Sequence, residues 1–216
     1  MRKLIFILFA FLFFGQSLKS QIIAITGTGD QVYLYDDGTW KYVKDVNETA
    51  SSSSIKINPT HFTKDIDADF QVKSKILDIG VWINAKKWSF NKPSDESASA
   101  EYEFRLKGED AYAMLITERI EVPLNNLKQI ALQNAQNVAP DIKIVLEEKR
   151  KVNNKEEVLC LQMEGTIQGI KFVYFGYYYS DENGSLQLIT YTSSNLFKKY
   201  KASLESFLNG LVISKK

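Results

Sequence analysis

The sequence is poor in the residues that form disulfides, metal sites and histidine-based catalytic sites. Among 216 residues there is one cysteine, Cys160, and one histidine, His61. A single cysteine excludes an internal disulfide, and a single histidine excludes any site that needs two imidazoles. A zinc site needs several ligands of these two types, so no zinc centre is expected.

Excess charge of either sign is also missing. Lys and Arg number 27 and Asp and Glu number 26, which gives a formal net charge of +1. Residues 1–20 hold three basic residues and no acid, so their removal leaves 24 against 26, a net charge of −2. This balance gives no strong electrostatic footprint for a nucleic acid or an anionic membrane surface. With 44% hydrophobic and 12% aromatic residues, the composition is that of a globular protein.

Long apolar runs are absent except at the start of the chain. The run from Leu4 to Phe14 is eleven residues long, follows Arg2 and Lys3, and precedes several small residues. A membrane-spanning helix needs about 20 apolar residues, so this pattern predicts a cleavable signal peptide over residues 1–20. Cleavage is expected after Ser20, with Ser17 as the competing position. The mature protein is therefore predicted to be exported, periplasmic or extracellular, and not inserted in a membrane.

A β-hairpin is predicted within residues 21–44. The segment QVYLYDDGTWKYV has two β-rich runs on either side of an Asp-Asp-Gly turn. A two-residue turn would pair Tyr35 with Trp40. A three-residue loop with Gly38 in the left-handed conformation would pair Leu34 with Trp40 instead. We prefer the second register because it separates apolar from polar side chains more cleanly, and register follows the hydrophobic pattern where one face is buried.

The preferred register gathers four apolar side chains on one face of the hairpin, those of Val32, Leu34, Trp40 and Tyr42. A two-stranded hairpin is only marginally stable alone, so this face is expected to be covered. Two interpretations remain open: the face packs on the larger domain, or it is an aromatic site for a protein partner. In the second case Trp40 and Tyr42 are the predicted partner-binding residues.

The rest of the chain divides into a linker and one larger domain. Residues 45–57 include a run of four serines and cannot bury a core, so they are predicted to form a flexible linker. Residues 58–216 are close to the usual size of a single domain. Alternating patterns in this domain predict seven strands: Ile79 to Ile83, Glu101 to Lys107, Ala111 to Glu118, Ile142 to Val152, Glu156 to Ile167, Ile170 to Ser180 and Ser185 to Thr192.

Two amphipathic helices complete the predicted elements. One begins after Pro123 and stops at Ala139-Pro140, and the other is capped by Ser193 or Ser194. Turn residues join the last four strands, so neighbouring strands should be antiparallel. The predicted fold class is α+β: a mainly antiparallel sheet with two amphipathic helices packed on it, preceded by an N-terminal β-hairpin.

One predicted strand is unusually aromatic. Large rings occupy both faces of the strand from Ile170 to Ser180. This pattern predicts a central strand covered by helices on both sides. The other interpretation is a partly open aromatic surface, since tyrosine is enriched at interfaces.

The order of elements resembles a known superfamily. Its features here are a tryptophan-containing strand and loop from Val81 to Trp88, the strand pair from Glu101 to Glu118, the helix after Pro123, the antiparallel meander, and a closing helix that ends in the residues from Phe207 to Leu211. In these features the larger domain resembles the PsbP, Mog1 and DcrB superfamily. The resemblance implies an antiparallel sheet with packed helices, and an accessory or binding protein without catalytic residues. It assigns no role to any single residue.

Few groups of residues indicate chemistry. Asp65, Asp67 and Asp69 match the opening spacing of a calcium-binding loop, but Phe70 stands where glycine is needed and Ile76 where a bidentate glutamate is needed. These acids are therefore interpreted as a solvated segment, and no metal is predicted.

Cys160 and the carboxylates also lack a recognisable reactive arrangement. Cys160 alternates with two leucines on a strand and has no activating group beside it in the sequence, so it is predicted to be buried and structural. A pair with His61 is the alternative. Glutamates at positions 118, 147, 148 and 164 are interpreted as charges on a solvated sheet face. No glycine-rich loop leads into a helix, so nucleotide binding is not predicted, and no catalytic residue or cofactor is assigned.

These observations predict a secreted, non-catalytic binding or accessory module that engages a protein partner through aromatic surface. The oligomeric state is left open. Two alternatives are kept. One is a hydrolase that uses a pair of carboxylates in a cleft of the sheet, for which two buried carboxylates within about 5–10 Å would be the sign. The other is a carrier of a small apolar ligand, which requires a cavity.

Overall fold

The structure is a computed structural model that describes residues 21–26, 31–42, 55–95, 99–153 and 156–214. The predicted signal segment, residues 1–20, lies outside the described residues, as does most of the predicted linker. The described elements, in chain order, are β1 (Gln21–Ile25), β2 (Gln31–Tyr35), β3 (Trp40–Tyr42), β4 (Lys56–Phe62), β5 (Phe70–Lys73), β6 (Ile79–Ile83), β7 (Trp88–Asn91), β8 (Tyr102–Leu106), β9 (Ala111–Glu118), α1 (Leu124–Val138), β10 (Lys143–Val152), β11 (Glu156–Ile167), β12 (Ile170–Asp181), β13 (Gly184–Ser193), α2 (Ser194–Leu208) and β14 (Leu211–Ile213).

The main sheet has eight strands in the order β4-β10-β11-β12-β13-β9-β8-β7. Consecutive strands from β10 to β13 form an antiparallel meander, and β9 and β8 extend it on the β13 side. The exception is β4, which pairs in parallel with β10 at one edge. Short turns account for the antiparallel order, while a parallel neighbour needs a long connection.

The two helices cover opposite faces of the main sheet. Helix α2 buries Tyr200, Leu204, Phe207 and Leu208 in a core cluster that also contains Cys160 and Tyr177. Helix α1 buries Leu127 and Ala131 beside Leu159 and Tyr178. Neighbouring residues of β11 and β12 contribute to different clusters because side chains alternate between the faces of a strand.

A second, three-stranded sheet has the order β14-β6-β5. In it, the strand that follows α2 pairs antiparallel with β6. Val81 and Leu211 are both fully buried in the same core cluster as α2. The small sheet therefore closes the core on the α2 side of the molecule.

Most of the predicted architecture is confirmed. The two helices and all seven predicted strands are present, and the sheets are mostly antiparallel with the helices packed on them. The prediction of a single main sheet was wrong, because Ile79–Ile83 belongs to the small sheet. Strands β1, β4, β5, β7 and β14 were not predicted: they are three to seven residues long, and short strands carry little alternation.

The predicted aromatic strand, β12, is central and covered on both faces. Phe175 and Tyr177 lie in the cluster under α2, and Tyr178 lies in the cluster under α1. Within the described part of the chain, neither helix has the length and hydrophobicity of a membrane span.

Candidate functional site

The N-terminal sheet adopts the preferred hairpin register. Strand β2 pairs with β3 so that Leu34 lies opposite Trp40 and Val32 opposite Tyr42. The loop has three residues, and Gly38 has a φ of +78°. Its N–H donates to the Tyr35 carbonyl oxygen at 2.9 Å. The strand β1 adds to the other side of β2, which makes the predicted hairpin a three-stranded sheet.

Three of the four apolar side chains on the predicted face are open to solvent. Trp40 is 53% exposed, Tyr42 54% and Leu34 40%, whereas Val32 is 5% exposed. The rings of Trp40 and Tyr42 meet edge to face with their centroids 5.2 Å apart. We call Leu34, Trp40 and Tyr42 the ribbon face. The two predicted partner-binding residues thus lie side by side on an accessible apolar surface.

Cys160 is fully buried on the α2 side of the main sheet. Burial raises the pKa of its thiol to about 12, although the positive charge of Arg150 acts in the opposite direction. His61 lies on the edge strand β4, where its Nε2 is 2.6 Å from the Asn153 carbonyl oxygen. The thiol therefore has the neutral, structural character that the sequence predicts.

Arg150, which the sequence did not single out, is the centre of a buried ionic cluster. It is 6% exposed, and its Nε donates to Glu148 at 2.6 Å while one terminal nitrogen donates to Glu205 at 2.7 Å and to the Tyr177 hydroxyl at 3.2 Å. Its guanidinium also lies over the Phe62 ring, 4.3 Å from the centroid. We call these residues the Arg150 cluster.

The interpretation of Glu148 as a charge on a solvated sheet face was wrong. Glu148 is 4% exposed and also accepts a hydrogen bond from Asn58 at 3.0 Å. Burial alone would raise the pKa of this carboxyl, but the hydrogen bonds from Arg150 and Asn58 and the Arg150 charge outweigh it, so the pKa is lowered. Burial opposes the charge on Arg150, yet its hydrogen bonds with Tyr177 and Glu148 help to keep its pKa above the ordinary value.

Glu148 and Glu205, the two carboxylates of the Arg150 cluster, do not have the properties of an acid and base pair. Glu148 and Glu205 come together, but a guanidinium separates them, and neither lines the three described cavities. A general acid needs a raised pKa. Among the described carboxyl groups with a shifted pKa, the shift is downward in every case, namely for Asp65, Glu109, Asp141 and Glu148.

The carboxylates of the acidic segment around Asp65 accept hydrogen bonds that hold the segment in place. One oxygen of Asp65 accepts the Asp67 N–H at 3.1 Å, and the other accepts the Ser206 hydroxyl of α2 at 3.0 Å. Asp69 accepts the Ala85 N–H at 3.1 Å. These contacts tie the segment to α2 and to the loop after β6. Within the described residues no group of three or more metal-ligating side chains occurs.

Comparisons with known proteins identify a fold. No protein-family model and no curated protein matches the chain. A solved structure that does match is the solution structure of the cyanobacterial PsbP, CyanoP, from Synechocystis sp. PCC 6803, with 10% identity and a TM-score of 0.51 over 69% of this chain and 95% of that one. Another is PA94 from Pseudomonas aeruginosa, a protein of unknown function, with 11% identity and a TM-score of 0.44 over 68% of this chain and 100% of that one. The predicted resemblance is confirmed for the fold alone, through the similarity to the PsbP structure.

Proposed function

We propose that the protein is an exported, non-catalytic accessory module that binds a protein partner through the ribbon face. The observation that carries this proposal is the exposure of Trp40 and Tyr42, each more than half open to solvent although the two rings touch. Tryptophan and tyrosine are enriched in the energetically dominant centres of protein interfaces. Large aromatic side chains also lose little conformational entropy on binding, because few torsions must be fixed.

The shape of the N-terminal sheet suits this role. The ribbon face is narrow, and its three side chains come from two neighbouring strands held in register by the loop at Gly38. A rigid turn presents the rings in a fixed arrangement, which reduces the ordering cost of association. The exposed acids Asp36 and Asp37 in the loop supply a polar rim, as interfaces commonly have.

The chemistry of the larger domain supports a non-catalytic function. A nucleophilic cysteine needs a lowered pKa and access, and Cys160 has neither. The hydrolase alternative needs a carboxyl group that stays protonated, whereas the shifted carboxyl groups are all easier to ionise than usual.

Export is the second component of the proposal. It rests on the charged start, the eleven-residue apolar run and the small residues before Gln21. Mass spectrometry of fractionated cells should find a mature chain that begins near Gln21 in the exported fraction. An intact Met1 on protein in the cytoplasmic fraction would contradict export.

Binding is tested by photo-crosslinking in cells, with a photoreactive amino acid at position 40, 42 or 41. Lys41 is the matched control because it lies between the other two and pairs with Tyr33, on the opposite face. We expect the same partner to be crosslinked from positions 40 and 42 and to be absent at position 41. Equal crosslinking from all three positions, or none from any, would refute the ribbon face as a binding site.

The variant Trp40→Ala separates binding from folding. With the ring more than half exposed, we expect the free energy of unfolding to change by less than about 1 kcal/mol. Affinity for the crosslinked partner should fall by roughly 30-fold or more, as for a truncated interface anchor. A stability loss of about 3–5 kcal/mol would instead mean that Trp40 packs within its own chain.

A further inference from the structure

A cavity of about 200 Å³ lies where the small sheet meets the end of the main sheet. Its apolar wall is formed by both sheets, with Ile79 and Ile213 from the small sheet and Leu186 from β13. These three side chains are nearly fully buried, so the wall is a fixed part of the core. Ile76 and Leu77 extend it toward solvent.

Polar groups of both charges surround the opening of this cavity. Arg119 lines it, and the Nε of this residue donates to the Ile76 carbonyl oxygen at 3.1 Å. Its terminal nitrogens have no hydrogen bond or ion pair with any residue that the structure describes. Asp78 also lines the cavity, and its carboxylate has no hydrogen bond or ion pair with a residue in the described ranges.

A second carboxylate at the opening, that of Asp181, is already engaged. One of its oxygens accepts the Tyr179 hydroxyl at 3.0 Å, and the other accepts the Asn183 N–H at 2.8 Å. Among the described charged groups that line the cavity, the Arg119 terminal nitrogens and the Asp78 carboxylate are therefore the ones without a protein partner. Such a pair is complementary to a ligand that carries one negative and one positive group.

The size of the cavity limits the ligand. Pockets for drug-sized molecules have volumes of roughly 300–1,000 Å³, so this cavity fits a smaller ligand than these. We infer that it binds a small zwitterion with an apolar side chain, that is, a free apolar α-amino acid. The side chain lies against Ile79, Leu186 and Ile213, the carboxylate binds Arg119, and the ammonium group binds Asp78. This site is separate from the ribbon face and does not depend on the proposed function.

Three probes of similar shape test the two charged contacts. Leucine carries both charges, 4-methylpentanoate carries only the carboxylate, and isoamylamine carries only the ammonium group. Binding to the purified mature chain is measured by isothermal titration calorimetry and by shifts of the cavity methyl groups in NMR spectra. We expect leucine to bind more tightly than either of the other two, with shifts at Ile79 and Ile213.

Two substitutions assign the contacts to residues. Arg119→Gln keeps a donor for the Ile76 carbonyl oxygen but removes the charge, and should weaken leucine binding by about 10- to 100-fold. Asp78→Asn should weaken leucine and isoamylamine but leave 4-methylpentanoate unchanged. Arg105→Gln, which removes an exposed guanidinium on β8, is the matched control and should leave all three affinities unchanged.

Several results would overturn the inference. Absence of leucine binding at millimolar concentration would do so, as would equal binding of leucine and isoamylamine. Binding that survives Arg119→Gln would place the ligand elsewhere. A peptide ending in leucine that binds as tightly as free leucine would show that the site recognises a chain terminus and that the ammonium contact is wrong.

Discussion

Among single residues, Arg150 binds polar groups that water would otherwise solvate. Two carboxylates and a phenol hydroxyl accept its hydrogen bonds, and the Phe62 ring covers its guanidinium. Removal of one partner from a buried ion pair is costly because the other charge stays buried and uncompensated.

We therefore expect Arg150→Met to lower the free energy of unfolding by about 3–5 kcal/mol, measured by urea denaturation. The double variant Arg150→Met with Glu148→Gln should recover part of this loss, because no unpaired charge remains at Glu148. Lys149→Met on the same strand is the control, since Lys149 pairs with a partly exposed glutamate and surface pairs contribute about 0–1 kcal/mol. A double variant no more stable than Arg150→Met would show that the buried charge is not the cause.

Glu148 also predicts a dependence of stability on pH. Its pKa is lowered in the folded state, so its contribution is fully present above the unfolded value of about 4.3 and is lost as the pH falls through the folded value. Glu148→Gln should therefore lose stability relative to wild type at pH 7, and the difference should shrink as the pH falls below about 4.3. Urea denaturation at a series of pH values measures this, and a constant difference would contradict it.

Cys160 is expected to be inert in the native protein. The thiol is fully buried and its pKa is raised to about 12, so a polar thiol reagent at neutral pH should react only through unfolding. Labelling should accelerate with urea in parallel with loss of structure. Cys160→Ser should cost about 1–3 kcal/mol, because a hydroxyl would be buried where a thiol was. Rapid labelling without denaturant would contradict the structural role.

Among the secondary-structure elements, the alternating hydrophobic pattern and the turn residues predicted those that are long and central. Strands β9 and β11 have the predicted ends, and helix α1 begins directly after Pro123. The parallel pairing of β4 with β10 has no local signal, because it joins segments far apart in the chain. The Arg150 cluster was missed for the same reason: Glu148 and Arg150 share a strand, but the groups that bury them come from β4, β12 and α2.

The hairpin register was predictable because the turn and the hydrophobic pattern lie within one short segment. The exposure of Trp40 could not be predicted from the sequence, because it depends on whether another part of the molecule covers the ribbon face. The cavity beside Arg119 could not be predicted from the sequence either, because its lining comes from strands β6, β12, β13 and β14 and the loops beside them.

The turn between β12 and β13 requires glycine. Gly184 has a φ of +147°, and a Cβ there would lie 2.2 Å from the Glu118 carbonyl oxygen. Gly184→Ala should lower the free energy of unfolding by about 2–4 kcal/mol, from backbone strain and overlap together. Gly169→Ala is the matched control, because a Cβ at that left-handed turn position meets nothing within 4 Å, and should cost about 1–2 kcal/mol. Equal losses of stability for the two variants in thermal or urea denaturation would mean that the structure relieves the overlap at position 184 without a cost in free energy.

Among the residues that the structure describes, those that form the three core clusters all lie at position 55 or later. A chain of residues 55–214 should therefore unfold with a free energy within about 1 kcal/mol of that of a chain of residues 21–214. The measurement is urea denaturation of both chains under the same conditions. A much lower stability for the shorter chain would show that the N-terminal sheet packs on the larger domain, and would weaken the case for the ribbon face.

The pairing of β14 with β6 determines how late in synthesis the core can be completed. Strand β6 leaves the ribosome early, but its partner β14 exists only after synthesis has passed Ile213. Contacts between such distant segments slow folding, and the core cluster that both strands share cannot close before then. Until β14 has been made, the apolar residues of β6 and α2 in this cluster therefore lack part of their cover.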